Sequence, residues 1–429
     1  MIDRRTILGA LLAAATSYPA GSRSNKALDQ EALQAALFAF SIGEMARVAA
    51  ASPARNRFSH RRTLSDHTNR GVTMPNNDTL YSSCWLDLPT GVHADLDIPL
   101  NSGRYVSLAI MGMDTDVLAL ASSNGQSTAT GKYRIVGPGW RKKAPDDRLL
   151  IRIPSADAWA LVRIGVSDKQ DLAAAQAVQS KIVSNIETSR SPQRITAPLV
   201  QDRPKRLLEQ VNAVLERTTP RSPLAMRARR HRQFGLGKMT QVSPAANTAW
   251  RKAVFALDAG AIGDITEFGE IINGWHWPDK AIAQYGKNER FRAAVALSGL
   301  GALPEMEAVY LTAMTDIKGA PLSSSRQYRI DFATPPPVDA FWSLSAYRAE
   351  PDGRYFFIDN PLNRYAVGSS NQELRNGGVV IASTSKPSEY SSVWLPIADG
   401  PFRLVLRAYH PTLTLRSKRW APPNIVPIS

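Results

Sequence analysis

The pattern of hydrophobic positions changes its period three times along the chain. In the segment Leu28–Ala51, Phe38, Ile42 and Met45 recur at helical spacing, which predicts an amphipathic helix. Between residues 79 and 163 short apolar runs alternate with polar residues and are separated by Gly, Pro, Asn and Asp, which is typical of β-strands. The predicted strands are Leu80–Leu88, Tyr105–Ile110, Lys132–Val136 and Trp159–Ile164.

Helical spacing returns in the middle of the chain. Ser167-Asp168 are predicted to cap a helix whose apolar face consists of Leu172, Ala175, Ile182 and Ile186. Three further positions suit the first turn of a helix, where proline is tolerated because the amide has no partner there: Pro204, Pro244 and Pro304. The middle third is therefore predicted to be mainly helical.

After the proline run at residues 335–337 the period returns to two. The predicted strands are Phe341–Tyr347, Tyr355–Ile358, Gly378–Ala382 and Phe402–Tyr409. This order predicts an α+β, multi-domain protein, with two β-rich, sandwich-like modules and a mainly helical segment between them. We place the N-terminal module at residues 27–190, the helical connecting region at 204–304 and the C-terminal module at 305–429.

The first twenty residues predict a signal peptide. Arg4 and Arg5 precede the apolar run Ile7–Ala15, which is far shorter than the roughly 20 residues needed to span a bilayer. The adjacent arginines are also compatible with twin-arginine export. We therefore expect a periplasmic protein, with no transmembrane span after removal of residues 1–20.

Composition narrows the classes of partner. The net charge of +15 favours anionic partners such as lipid headgroups, envelope polymers or small acidic substrates. The densest basic run, Arg227–Arg232, contains no aromatic residues for base stacking, so no nucleic acid is expected and the run is predicted to be a solvated helical face. The single cysteine, Cys84, excludes an intrachain disulfide and is predicted to be a buried structural thiol.

Several common catalytic patterns are absent from the sequence. There is no Gly-x-Ser-x-Gly motif, no complete phosphate-binding loop and no dinucleotide glycine motif. The six histidines lack metal-ligand spacing; His60 and His67, the closest useful pair, would need a third ligand from elsewhere. We therefore expect no cofactor and no metal site.

The most distinctive string lies at the entrance to the first long strand. Asn76-Asn77-Asp78 is turn chemistry, and a turn that leads into a strand explains all three polar residues. In the alternative interpretation, a functional cleft brings together the carboxylates of Asp78 and Asp87 and the phenol of Tyr81. Gly103-Arg104-Tyr105 then offers a guanidinium that could pair with one of these carboxylates or hold an anionic substrate.

The C-terminal strands carry a second group of large and polar side chains. Trp342 and Tyr365 supply aromatic surface and Asn363 supplies hydrogen-bond donors, although aromatic residues at strand spacing are more often core. Arg364 is harder to assign to the core, because a buried arginine needs a carboxylate partner. Asp78 or Asp87 from the other module could be that partner.

These strings resemble two bacterial families. Residues 75–88, with 137–140 (Gly-Pro-Gly-Trp), resemble domain of unknown function 1254. Domain of unknown function 1214 is similar to the last third at residues 336–344, 360–365, 394–396, 400–404 and 420–423. The resemblance covers nearly all of the mature chain in the family's order. It implies two β-rich modules with helical segments between them and a homo-oligomer, but no established activity.

Our first hypothesis is an envelope enzyme that acts on a small polar or anionic organic substrate in a cleft between the two modules. Asp78 would be the general acid or base, Tyr81 its proton partner or an oxyanion donor, and Arg104 and Arg364 charge clamps. The predicted binding residues are Asn76, Asn77, Asp87, Arg104, Tyr105, Trp342, Asn363, Arg364 and Tyr365. The alternatives are a non-catalytic binding protein that uses the same cleft and an oligomeric structural protein of the envelope.

Overall fold

The computed structural model describes residues 20–52, 55–123, 131–186, 200–237, 241–351, 353–388 and 392–428. The predicted signal peptide lies outside the described residues except for Ala20, where helix α1 (Ala20–Ala50) begins. The predicted helix at residues 28–51 is therefore confirmed and begins earlier than expected.

The N-terminal strands form two sheets. Their bounds are β1 Ser59–Arg61, β2 Thr79–Asp87, β3 His93–Asp97, β4 Val106–Gly112, β5 Val117–Ser122, β6 Lys132–Val136, β7 Leu149–Arg152, β8 Asp157–Gly165 and β9 Val183–Ile186, with helix α2 at Leu172–Gln179 between the last two. A five-stranded sheet has the order β1-β2-β8-β4-β5, and a four-stranded sheet has the order β7-β6-β3-β9. All four strands predicted here are confirmed. Only Leu172 and Ala175 of the predicted helix face lie in α2, because the helix ends at Gln179; Ile182 follows it, and Ile186 lies in β9, paired with β3.

Both faces of the five-stranded sheet are buried, and the two-residue period of β4 shows why. Leu108 and Ile110 join the core shared with the four-stranded sheet. Ala109 and Met111 point to the opposite face and pack in the core of the helical layer. Cys84 is buried in the first of these cores as a free thiol, as predicted, and burial raises its pKa to about 12.

The helical layer contains α1 together with four later helices. These are α3 Arg203–Glu216, α4 Pro223–Arg229, α5 Pro244–Ala256 and α6 Glu289–Ser298. The side chains of Asp202 and Ser243 cap α3 and α5 just ahead of Pro204 and Pro244, which confirms those two helix starts. Pro304 begins no helix, so that prediction is wrong. Helix α1 packs against α3, α5 and α6 and thus belongs to this layer.

Helix α1 also passes a simple test for a membrane span. Its Asn25–Ala50 portion is long and apolar enough to cross a bilayer. This is contrary to our expectation that no segment after residue 20 would be. However, 72% of its most apolar window is buried inside the protein, as in the core helix of a soluble protein.

The C-terminal strands also form two sheets around one core. Their bounds are β10 Gly269–Ile272, β11 Trp275–Pro278, β12 Ala308–Ala313, β13 Gln327–Phe332, β14 Val338–Ala349, β15 Tyr355–Phe356, β16 Val367–Gly368, β17 Gly378–Ser383, β18 Ser392–Pro396, β19 Phe402–Pro411 and β20 Ile425–Ile428, with helix α7 at Leu413–Arg416. A seven-stranded sheet has the order β10-β11-β12-β19-β14-β15, with β16 also paired to β14. A four-stranded sheet has the order β18-β17-β13-β20.

The hairpin β10–β11 lies within the segment predicted to be helical, yet it extends the C-terminal sheet through β12. Short helical turns complete the fold: a π turn at Leu257–Ala261 and 3₁₀ turns at Arg232–Phe234, Ile265–Glu267 and Gln372–Leu374. The chain is thus a mixed α+β protein, as predicted. The four strands predicted in the last third are all found.

Candidate functional site

A cleft of about 1160 Å³ lies between the N-terminal and C-terminal strands. The N-terminal part lines it with residues 64–66, 77–78, 103–105 and 165–172, and the C-terminal part with residues 339–343, 362–367, 369–371 and 375. This volume slightly exceeds the usual range of small-molecule sites, about 300–1,000 Å³. Eight of the eleven predicted site residues line it: Asn77, Asp78, Arg104, Tyr105, Trp342, Asn363, Arg364 and Tyr365.

The turn before β2 positions the floor of the cleft. The amide oxygen of Asn76 accepts a hydrogen bond from the backbone N–H of Asp78 (2.7 Å), as the predicted turn requires. The amide nitrogen of Asn76 donates to the hydroxyl of Tyr409 in β19 (2.6 Å). Asn77 donates to the backbone oxygen of Ser65. Asn76 therefore does not line the cleft but ties its floor to the C-terminal sheet.

Asp78 is buried at this floor and is held by a residue of the other half of the chain. The hydroxyl of Ser343 in β14 donates to its Oδ2 (2.6 Å). Burial raises the pKa of Asp78, and the opposing effects of the Arg407 charge and the Ser343 hydrogen bond do not cancel that rise. The carboxyl group therefore takes up a proton more readily than an exposed aspartate.

Arg407 lies behind Asp78 and is completely surrounded by protein. Its Nη2 donates to the hydroxyl of Tyr347 (2.6 Å) and to the backbone oxygen of Met74 (3.2 Å). Tyr347 in turn donates to the backbone oxygen of Pro75 (2.7 Å). The arginine thus fixes the segment that leads into the Asp78 turn, and its charge acts on Asp78 through space.

Arg104 lines the cleft, but its charge is already balanced. Both terminal nitrogens donate to the carboxylate of Asp171 at 2.8 Å, and Nη1 also donates to the backbone oxygen of Gly165. The predicted pairing of Arg104 with Asp78 or Asp87 is therefore wrong. The hydrogen bond from Arg104 is the main reason that the pKa of Asp171 is lowered.

Tyr105 forms part of the cleft wall and joins the two halves of the chain. Its hydroxyl donates to Glu307 Oε1 (2.6 Å), and its ring meets the Phe341 ring edge-on at 5.5 Å. Burial raises the pKa of Tyr105 well above its ordinary value. Tyr105 is thus a neutral hydrogen-bond donor whose hydroxyl holds the two modules together through Glu307.

The loop at residues 360–365 presents the last three predicted binding residues. The side chain of Asn360 closes this loop through the backbone of Arg364, as expected for a turn. The guanidinium of Arg364 donates to the backbone oxygen of Trp394 (3.0 Å), so the predicted partner, Asp78 or Asp87, is wrong. Asn363 is exposed and accepts a hydrogen bond from the hydroxyl of Tyr365.

Tyr365 has a partner that the sequence analysis did not identify. Its hydroxyl lies 2.7 Å from Nδ1 of His67, on a polar turn of the N-terminal part, and Asp359 Oδ1 lies 3.8 Å from the same nitrogen. Burial raises the pKa of Tyr365. Trp342 contributes to the wall, but it is only 3% exposed and packs on Phe332 in the C-terminal core.

Besides Asn76, two other predicted residues do not line the cleft. The hydroxyl of Tyr81 accepts a hydrogen bond from Asn76 (3.2 Å), and the Tyr81 ring faces the buried guanidinium of Arg163. Asp87 lies at the far end of β2, about 26 Å from Thr79 at the start of the strand at roughly 3.3 Å per residue. There it pairs with Arg217.

The most important residue that the sequence analysis missed is Ser343, and the signal was available in the pattern. On β14, Trp342, Leu344 and Ala346 face the C-terminal core. The opposite face carries Phe341, Ser343, Ser345 and Tyr347, and its two serines are polar residues at inward-facing strand positions. Further charged residues at the rim were also missed: Asp66, Asp168, Lys169, Asp339 and Arg375.

Within the described ranges, no group of three or more His, Cys, Asp or Glu side chains could hold a metal ion. His60 bonds the hydroxyl of Ser82, whereas His67 bonds Tyr365, so the two histidines belong to different networks.

Among the solved structures that resemble this chain, the first supports the fold described above. The crystal structure of the VPA0106 protein from Vibrio parahaemolyticus matches with a TM-score of 0.70 and 21% identity, over 94% of this chain and all of that one. An uncharacterised protein from Burkholderia cenocepacia matches with a TM-score of 0.45 and 14% identity, over 95% of this chain and 97% of that one. No curated protein matches the sequence.

Two family models match the chain in the predicted order. The first, described as "Protein of unknown function (DUF1254)", covers residues 55–185, and the second, "Protein of unknown function (DUF1214)", covers residues 307–413. The matched segments contain the two halves of the cleft, including Asp78 in the first and Ser343 in the second. The chain belongs to the family that joins an N-terminal DUF1254 domain to a C-terminal DUF1214 domain.

Proposed function

We propose that this protein binds a small polar or anionic organic molecule in the inter-module cleft and that Asp78 transfers a proton to or from it. The observation that carries the proposal is the buried carboxyl group of Asp78 at the floor of the 1160 Å³ cleft, hydrogen-bonded by Ser343. A general acid or base works best when its pKa lies near the ambient pH. The raised pKa of Asp78 moves it in that direction.

The cleft walls suit a ligand with both polar and apolar groups. Phe341 and Tyr365 offer ring surfaces, while Asn363 and Asn371 offer amides. Acidic and basic side chains occur together at the rim, so a ligand can be held by charge at more than one point. Arg104 and Asp171, already paired, serve as a fixed polar wall.

The setting of this chemistry is also part of the proposal. We infer a periplasmic location from the predicted leader, a β-sandwich in each module because two sheets share one core, and a homo-oligomer from the family resemblance. The ligand is then a metabolite or a fragment of an envelope polymer. Native mass spectrometry of the protein purified from the cell envelope would report a co-purified ligand and the number of subunits together.

The proposal is tested by Asp78→Asn with the ligand found in this way. Loss of the ionisable group should lower turnover about a hundredfold or more while the ligand affinity is retained. The matched control is Asp168→Asn, the same change at an exposed carboxylate on the rim of the same cleft, which should keep its turnover. Unchanged turnover in Asp78→Asn would rule out this role for Asp78.

A specific observation favours a second candidate, a non-catalytic binding protein. Tyr81, the predicted proton partner, is bonded to Asn76 away from the cleft, which leaves Asp78 without that partner. In this case the wild-type protein would not convert the co-purified ligand, and Asp78→Asn would change only the affinity for it.

A further inference from the structure

Helix α4 ends in an exposed basic face on the helical layer, remote in sequence from the residues of the cleft. Leu224 and Ala228 are buried in the core of the layer. Met226, Arg229 and Arg230 stand at i, i+3 and i+4 and are exposed, so they share the opposite side of the helix. The backbone of Arg230 is still helical, and 56% of the Met226 surface is exposed. We call these three residues, with exposed Arg221 just before the helix, the α4 basic face.

The arginines of this helix have two different environments. Arg227 is buried and pairs with Asp114 (2.7 Å) and Glu289 (2.9 Å), so its charge serves the fold. In the part of the chain that the structure describes, neither Arg229 nor Arg230 has a carboxylate within ion-pair distance, and the same is true of Arg221. Their charges are therefore not needed to hold the helix in place and remain available to a partner.

The residues that follow the α4 basic face contact helix α1. The His231 ring lies 5.5 Å from the Phe38 ring, and Gln233 Nε2 donates to Glu31 Oε2 (2.5 Å). These contacts fix the end of α4 against the helical layer, while the face itself stays exposed.

We propose that the α4 basic face docks onto a membrane surface that carries anionic phospholipids. Arginine binds phosphate oxygens in a two-pronged geometry, and the exposed Met226 between the arginines can enter the apolar part of the headgroup layer. With the predicted leader removed, this attachment is weak, reversible and electrostatic, and it is independent of the cleft.

Sedimentation of the full chain with vesicles tests the proposal. We expect stronger binding to phosphatidylcholine vesicles that contain roughly one quarter phosphatidylglycerol than to pure phosphatidylcholine, and loss of that difference as salt is raised to about 0.5 M. In Arg221→Gln/Arg229→Gln/Arg230→Gln the partition coefficient for the anionic vesicles should fall about fivefold per residue, on the order of a hundredfold in all. Binding to pure phosphatidylcholine, which reports the leader, should stay the same.

The control removes three exposed charges from the C-terminal module: Lys318→Gln/Lys386→Gln/Arg419→Gln. It should bind the anionic vesicles nearly as the parent does. An equal loss in both triple variants would overturn the proposal, because net charge alone would then explain binding. Binding to soluble heparin but not to anionic vesicles would overturn it as well.

Discussion

The two ends of strand β2 carry one buried aspartate each, and their surroundings differ sharply. Asp87 forms an ion pair with Arg217. Arg217 also donates to Asp157 (2.7 Å), and Asp157 forms a second ion pair with the buried Arg55. Asp78 accepts a hydrogen bond from the neutral hydroxyl of Ser343, and the charge of Arg407 acts on it only through space. One end is a compensated ionic network, whereas the other is a carboxyl group that burial makes easier to protonate.

The comparison shows that residue type alone does not identify a functional carboxylate. A buried acid paired with arginine is held in its charged form and contributes to the fold. A buried acid that faces a cleft and is bonded by a hydroxyl can change its protonation state at modest cost. The partner, and not the aspartate, therefore distinguishes a structural role from a chemical one.

The largest effect should come from breaking the Asp87 end. Asp157 is completely buried and accepts from both arginines, so Asp157→Ala leaves two guanidinium groups without a shared anion. We expect the free energy of unfolding to fall by about 3–5 kcal/mol. Urea denaturation would measure this loss. Asp146→Ala, at an exposed position of the same module, should change it by less than about 0.5 kcal/mol, and an equal effect at both sites would contradict the ionic network.

An intermediate effect is expected when the partner of Asp78 is removed. Ser343→Ala deletes the hydroxyl that donates to the buried carboxyl group, at a cost of about 1.5–3 kcal/mol of unfolding free energy at neutral pH. Because that hydrogen bond favours the charged form, its loss should also raise the pKa of Asp78 further. Ser370→Ala, at the exposed rim of the cleft, is the control. A variant at position 343 as stable as the parent would show that this contact is not formed.

The smallest expected effect is a change in how the free energy of unfolding depends on pH, and it comes from Asp78. Its folded pKa is raised above the unfolded value, so its contribution to stability is fully present below the unfolded pKa and is lost as the pH rises through the folded pKa. Asp78→Asn removes this loss and should flatten the fall in unfolding free energy that begins above the unfolded pKa of aspartate, about 4. Denaturation at several pH values measures the slope.

Asp171→Asn supplies a contrast of opposite sign. The pKa of Asp171 is lowered by Arg104, so its contribution is present above the unfolded pKa and is lost as the pH falls through the folded pKa. Asp171→Asn should therefore lower the free energy of unfolding at neutral pH and remove the fall in stability that the parent shows on acidification. An unchanged slope in Asp78→Asn would mean that Asp78 is not buried as described.

Strand periodicity and the family motifs were sufficient to predict the main features of the cleft. The early turn at Asp78 and the late strand at Trp342 were expected to meet, and both line the same cleft. The bounds of the eight predicted strands lie within three residues of those observed, because these strands have apolar residues at a fixed period that the sequence displays directly, whereas the other twelve described strands were not predicted.

What the sequence could not supply is the identity of each hydrogen-bond partner. Arg364 was assigned a carboxylate, but it donates to the backbone oxygen of Trp394, 30 positions away, and any residue could offer that oxygen. Tyr81 has a hydroxyl that could exchange a proton, but this hydroxyl is bonded to Asn76 and does not line the cleft. The β10–β11 hairpin was missed because its pairing with β12 depends on distant strands, and tertiary context overrides local propensity there.

The position of helix α1 has a consequence for how the chain is made. Lys252, which pairs with Asp29 of that helix, is 223 positions further on, so more than half of the protein must be synthesised before α1 finds its packing partners. Contacts so distant in sequence form late, because a long loop must close before they can contribute. The nascent chain therefore carries an unburied apolar helix near its N-terminus until the later helices are made, and we expect that helix to be prone to aggregation during this time.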